Sequence, residues 1–216
     1  VERTNVITKP ANILLQLFAV GAAGHLIYPL RPVMIFLTPF FLAFTGIFLA
    51  YLLYREGKTR TLWWILFVYV NTFTVEALGV ATGKIFGPYF YGDALGLKFF
   101  GVPLVIGMNW AFVILGGVAL AKKMTRNPVL MALITGLLAA GFDFILEPVA
   151  IRLNYWHWVG GSIPFQNYAM WFTLAFVNTL IFSLWKVSSP LPVFRAFFLI
   201  QTGYFLILNV GLRLAG

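Results

Sequence analysis

Residues 128–150 read PVLMALITGLLAAGFDFILEPVA. A helix needs about 20 mainly apolar residues to cross the hydrocarbon layer of a bilayer. This run is long enough, and its only charges are Asp143 and Glu147. It therefore reads as a membrane span that carries two carboxyl groups. Outward from it, comparable runs occupy residues 11–30, 33–54, 61–82, 103–121, 164–186 and 193–213. The expected fold is an all-α integral membrane protein with about seven transmembrane helices, residues 1–216 forming one polytopic domain. Clear breaks fall at Arg55-Glu56-Gly57-Lys58 and at Lys122-Lys123-Met124-Thr125-Arg126, whereas Arg31-Pro32 alone divides the first two helices. Composition agrees: 61% of the 216 residues are hydrophobic and 10% are charged, against about 25% charged in soluble domains.

The net charge of +9 does not indicate nucleic acid, because the basic residues are scattered through short loops and form no basic face. They instead report topology. With the N-terminus on one side, that side collects Arg3, Lys9, Arg55, Lys58, Arg60, Lys122, Lys123, Arg126, Lys186 and Arg195. The other holds Arg31, Lys84, Lys98, Arg152 and Arg213. The positive-inside rule then puts the N-terminus in the cytoplasm and the C-terminus outside, with a prokaryotic cell membrane as the expected location. Without cysteine, thiolate metal sites, disulfides and thiol nucleophiles are excluded.

Two aromatic loops fall on the same, outer side. One contains Gly87-Pro88-Tyr89-Phe90-Tyr91-Gly92, the other Tyr155-Trp156-His157-Trp158. Each follows a helix that ends in a glutamate, Glu76 or Glu147. Each precedes a helix opening on Pro-x6-Trp, Pro103 to Trp110 and Pro164 to Trp171. The third–fourth and fifth–sixth helices thus read as an internal repeat whose units run the same way, related by an axis along the membrane normal.

Glu76, Asp143 and Glu147 are three of the chain's six acidic residues and lie within spans. A charge at the bilayer centre costs at least about 2.5–3.5 kcal/mol, so each needs a partner, a water cavity or a proton. Asp143 and Glu147, four apart, share a helical face. Helix directions bring Glu76, Asp143, Glu147, His25, Asn109 and Asn167 to one layer near the outer side. Simpler roles exist for each. Asp143 and Glu147 can pair with Arg152 at the helix end, and Glu76 can snorkel or meet Lys84. His25 and His157 can be packing or interface residues, and Asn109 and Asn167 interhelical glue. The convergence of six polar groups on one depth favours a shared site.

No phosphate loop, zinc-protease motif or serine elbow occurs. Paired acidic motifs for a Mg²⁺-bound diphosphate are absent. The seventh span lacks the lysine a retinal protein needs. One histidine at the depth of the acids does not suggest a metal, and none is expected, nor any other cofactor. What remains is acid–base chemistry. A carboxyl in apolar surroundings can hold its proton and act as a Brønsted acid. A cation so formed is stabilised by aromatic faces and by a second carboxylate. The composition suits a hydrophobic polyene partner taken from the lipid bilayer.

The stretch Glu76-Ala77-Leu78-Gly79-Val80-Ala81-Thr82-Gly83, then Phe86-Gly87-Pro88-Tyr89-Phe90-Tyr91, Gly101-Val102-Pro103 and Trp110, resembles the membrane-integral carotenoid hydratases, the bisanhydrobacterioruberin and gamma-carotene hydratase type. So does Asp143-Phe144-Ile145-Leu146-Glu147-Pro148-Val149-Ala150, followed by Trp156-His157-Trp158, Ile163-Pro164, Asn167-Tyr168 and Trp171. The resemblance implies addition of water to the terminal double bond of an acyclic carotenoid, through a tertiary carbocation. Asp143 and Glu147 are then the expected acid–base pair, Glu76 the second carboxyl of the repeat, and His25 an orienting group for an acid or the water. Tyr89, Tyr91, Asn109, Trp110, Trp156, Asn167 and Trp171 are expected around the substrate, and Arg152 is expected to set the charge of Glu147. The competing readings are a lycopene-type carotenoid cyclase on the same scaffold, a proton-coupled transporter, and a non-catalytic carotenoid binder.

Overall fold

The structure, a computed structural model, describes residues 2–188 and 190–214. Seven long helices follow one another: α1 (Glu2–Leu26), α2 (Arg31–Arg55), α3 (Thr59–Thr82), α4 (Leu104–Met124), α5 (Pro128–Arg152), α6 (Phe165–Leu184) and α7 (Pro192–Leu214). Six of them, α2 to α7, are long and apolar enough to cross a membrane. The 25 residues of α1 reach about 37 Å at 1.5 Å per residue, so α1 has the length; its Lys9, Asn12, Gln16 and His25 make it the most polar of the set. The outward residues confirm the solvent. Phe36, Phe40, Ile47, Trp63, Leu137 and Phe144 are all exposed, and apolar bands of this kind are stable only against lipid.

α4 is the central helix. It packs on α2, α3, α5 and α7, while α1 lies along α7 and α5 pairs with α6. Helix ends follow local chemistry. Pro128 occupies the first turn of α5, and the Asn127 side chain before it accepts from the amides of Val129 and Leu130 at 2.9 and 3.0 Å. The break between the first two helices falls earlier than Arg31-Pro32. α1 ends at Leu26, a 3₁₀ turn spans Tyr28–Leu30, and α2 begins at Arg31. The Arg31 guanidinium donates to the His25 carbonyl at 2.9 Å, satisfying an orphan acceptor at the end of α1.

The aromatic loops are not simple connectors. The loop after α3 forms β1 (Tyr89–Tyr91), a 3₁₀ turn (Asp93–Leu95), and a small hairpin of β2 (Lys98–Phe99) with β3 (Val102–Pro103). The loop after α5 forms β4 (Trp156–Trp158), which pairs antiparallel with β1. The register is Tyr89 opposite Trp158, Phe90 opposite His157 and Tyr91 opposite Trp156. The amide of Val159 donating to the Pro88 carbonyl and that of Gly92 to the Tyr155 carbonyl, both at 2.9 Å, extend the ribbon. This pairing fixes both loops at one end of the bundle, as the repeat requires. The correspondence reaches the backbone: seven residues beyond Glu76 and Glu147, Gly83 and Asn154 both take left-handed conformations, with φ of 65° and 63°. Lys98 clamps the first loop, bonding the Tyr91 carbonyl at 2.9 Å and Asp93 at 2.8 Å.

Gly92 sits where the ribbon meets the second loop. A Cβ there would overlap the Asn154 carbonyl oxygen, a backbone atom that cannot swing aside. Gly92→Ala is expected to lose about 1–3 kcal/mol of stability through overpacking, read as a lower thermal midpoint in detergent. An unchanged midpoint would show that the two loops are not held together here.

Candidate active site

The ribbon carries the donors for two buried glutamates. On β1, alternate residues point the same way: the Tyr89 hydroxyl donates to the Glu76 carboxylate, and Tyr91 is buried beside it, the two ring centres 5.6 Å apart. On β4, the indole N–H groups of Trp156 and Trp158 both donate to Glu147 Oε2, at 3.0 and 2.9 Å. The two repeat units thus solve one problem with different residue types. Burial and the neighbouring Glu76 push both tyrosine hydroxyls above the ordinary phenol range, so they stay protonated and donate.

Asn167, on the first turn of α6, links the acids of α5. Its Nδ2 amide donates to Asp143 Oδ2 and, at 3.0 Å, to Glu147 Oε1. Glu147 therefore accepts three bonds and Asp143 one. Hydrogen bonds to a charged acceptor contribute about 1.5–3 kcal/mol each. Three of them exceed the 2.5–3.5 kcal/mol or so that a charge pays at a helix centre. Glu76, Asp143 and Glu147 are 3%, 1% and 1% exposed.

All three acids line one cavity of about 360 Å³, toward the small end of the 300–1,000 Å³ or so typical of ligand pockets. Its walls are mostly aromatic and aliphatic. Trp110 and Trp171, the equivalent tryptophans of the repeat, stack with ring centres 3.4 Å apart. Val20, Leu37, Phe40 and Phe44 line the cavity yet are exposed on the outside, so its mouth lies between α1 and α2 and faces lipid.

Of the residues singled out in the sequence, His25, Glu76, Tyr89, Tyr91, Asn109, Trp110, Asp143, Glu147, Trp156, Asn167 and Trp171 line this cavity. Arg152 does not. It is exposed at the end of α5, outside the cavity, and the ion pair among the described residues is Lys98–Asp93. The expectation that Arg152 sets the charge of Glu147 is corrected: indole and amide donors surround that carboxylate instead. His25 contacts Gly21 and Tyr204 and none of the acids. Glu76 neither snorkels nor pairs with Lys84. His157, half-buried, sits on the ribbon face opposite its two tryptophans and bonds Asn154. Sequence reasoning missed Trp158 as a ligand of Glu147, and also Gln201 and Tyr204 on α7. Its own alternation with Trp156 was a readable signal for Trp158. Among the described residues no group of three His, Cys, Asp or Glu gathers as metal ligands do.

Fold and site together define an integral membrane protein with a buried carboxyl cluster open to lipid. The carotenoid biosynthesis protein family matches residues 36–213, and the chain belongs to it. It is 30% identical over 124 residues to the bisanhydrobacterioruberin hydratase of Haloarcula japonica, a match covering 51% of this chain and 41% of that protein. The chain thus spans less than half of the relative it matches. No solved structure gives a significant match.

Trp158→Phe keeps the ring and removes one donor from Glu147. It is expected to cost about 1.5–3 kcal/mol of stability. In a double-mutant cycle with Glu147→Gln the two losses should fall well short of additive. Additive thermal-denaturation losses would mean the indole and the carboxyl act independently.

Proposed function

We propose that the protein is a carotenoid hydratase, adding water to the terminal carbon–carbon double bond of an acyclic carotenoid without a cofactor. The observation that carries this reading is the placement of three carboxyls, from three sequence positions in two helices, against one aromatic cavity that opens to lipid. Family membership and the hydratase relative support it. A cavity of this size accepts one end of a long polyene, and the remainder extends through the α1–α2 mouth into the bilayer.

Asp143 is the proton donor in this scheme. Like charges this close do not both ionise, so the Asp143–Glu147 pair holds one proton. Glu147, with three donors, is built to be the carboxylate; Asp143, with one, is left as the acid. The Asp143 O–H bond breaks as a C–H bond forms on the less substituted alkene carbon. The positive charge moves to the tertiary carbon, facing the Glu147 carboxylate and the rings of Trp110 and Trp171. Water adds there, and the proton lost by the resulting oxonium restores the acid. Glu76, held by the Tyr89 hydroxyl, supplies the second carboxylate of the field. By the distribution of basic loop residues, the site lies in the non-cytoplasmic half of the membrane.

The test is expression in a bacterium that makes lycopene, with mass analysis of its pigments. A gain of one water per modified end is expected. A product of unchanged mass but new ring structure would favour the cyclase instead. Asp143→Asn and Glu147→Gln should each lower turnover by about 10²-fold or more, the usual contribution of general acid–base groups. Full activity in both, and in Glu76→Gln, would end this mechanism.

A further inference from the structure

The cavity has a second polar pole, on α1 and α7, which shares no hydrogen bond with the carboxyls among the described residues and which the scheme above leaves unused. His25 on α1 and Gln201 on α7 line it, 3% and 1% exposed. The His25 Nδ1 atom lies 2.8 Å from the Gly21 carbonyl oxygen. A carbonyl can only accept, so Nδ1 carries the hydrogen and Nε2 presents a bare lone pair. Gln201 spends its amide on Asn109, Nε2 donating to Oδ1 at 2.7 Å, which leaves its Oε1 as an acceptor. His25 Nε2 and Gln201 Oε1 are both buried and have no partner in the protein. Tyr204, one turn along α7 from Gln201, places its hydroxyl 3.2 Å from His25 Nδ1, which ties the stretch of α7 that carries Gln201 to His25 on α1.

Two buried acceptors cost free energy unless donors reach them. The matching ligand is small, carries two O–H or N–H donors, and fits beside Phe205 and Trp110 in an otherwise apolar space. From this we infer that His25 Nε2 and Gln201 Oε1 hold the attacking water, one hydrogen each, with its oxygen lone pair turned to the cavity. This inference rests on the hydratase reading and adds to it the site of the second substrate. A water fixed by both hydrogens is already oriented for attack, and its position decides which carbon it reaches. As the C–O bond forms, one O–H bond breaks and its proton passes to Nε2, the only base of the two acceptors. Returning that proton to the carboxyl pair completes the cycle, so carotenoid and water give one alcohol. Without a held water, the cation can only lose its proton again or close on a neighbouring double bond. On this basis the α1–α7 pole, not the carboxyl cluster, separates hydration from the other outcomes.

The test uses the purified protein in nanodiscs with lycopene in D₂O buffer. The wild type should give hydrated product. Gln201→Leu and His25→Phe should each lower hydration by about ten-fold or more, the loss of one hydrogen bond to the reacting water. They should nonetheless leave deuterium in the recovered unhydrated pigment, because protonation and its reversal continue. Asp143→Asn should abolish both signals. Either α1–α7 variant hydrating at the wild-type rate would overturn the assignment. So would loss of deuterium together with hydration in both variants, the mark of a group needed for protonation or folding. A wild type giving neither hydration nor deuterium would instead refute the hydratase reading itself.

Discussion

Carboxyl groups inside a membrane must be given donors, and here one short antiparallel ribbon supplies them to both glutamates, with Asn167 on α6 serving Asp143 and Glu147. Tyr89 from β1 donates to Glu76, and Trp156 and Trp158 from β4 donate to Glu147. Separated, either loop would leave a buried carboxylate without its partners, a loss larger than most single contacts. The pairing also joins the end of α3 to the end of α5, so the site is assembled and the bundle closed by the same backbone bonds. Aromatic donors suit the task because each offers one polar atom at the edge of a large apolar body. They satisfy the acids without bringing water, and their faces become cavity wall.

The repeat explains how such a site is built economically. Each unit supplies a glutamate near the end of a helix, a left-handed residue, a strand of alternating aromatics, and a proline-led helix bearing a tryptophan. An antiparallel ribbon has a local two-fold axis across it, and two units running the same way through a membrane are related by an axis along its normal. The two units meet at the ribbon centre, Phe90 opposite His157, and again at the Trp110–Trp171 stack. The units then differ where chemistry needs a difference. Asp143, bridged to Glu147 by the Asn167 amide, makes the second unit an acid pair, while the first offers a single glutamate.

Much of this was legible in the sequence. Apolar runs set the helices, because span length is dictated by the bilayer. Charges inside those runs marked the site, because a carboxyl does not sit there by accident. The convergence of Glu76, Asp143, Glu147 and Asn167 at one depth followed from helix direction alone. Arg152 misled, because spacing along α5 says nothing of which way a long side chain turns at a helix end, and water solvates it more cheaply than the interior. Gln201 and Tyr204 escaped notice for a different reason. An amide or phenol in a span carries no charge and raises no insertion alarm, so only the packing of α7 on α1 and α4 shows that these groups face a cavity.

The cavity's polarity is therefore divided by chemistry as well as by place. At one pole the acids are surrounded by donors, and at the other the neutral side chains present acceptors. A neutral alkene end has no preference for either. A cation is drawn to the acids, and a molecule with two donor hydrogens to His25 and Gln201. On the reading proposed above, such a site takes the polyene through shape and apolar contact, and its carboxyls engage it only once charge develops. This is the differential binding that lowers a barrier and does not merely deepen a ground state. It also gives the apolar walls a second role, since fields from fixed groups act more strongly where little water screens them.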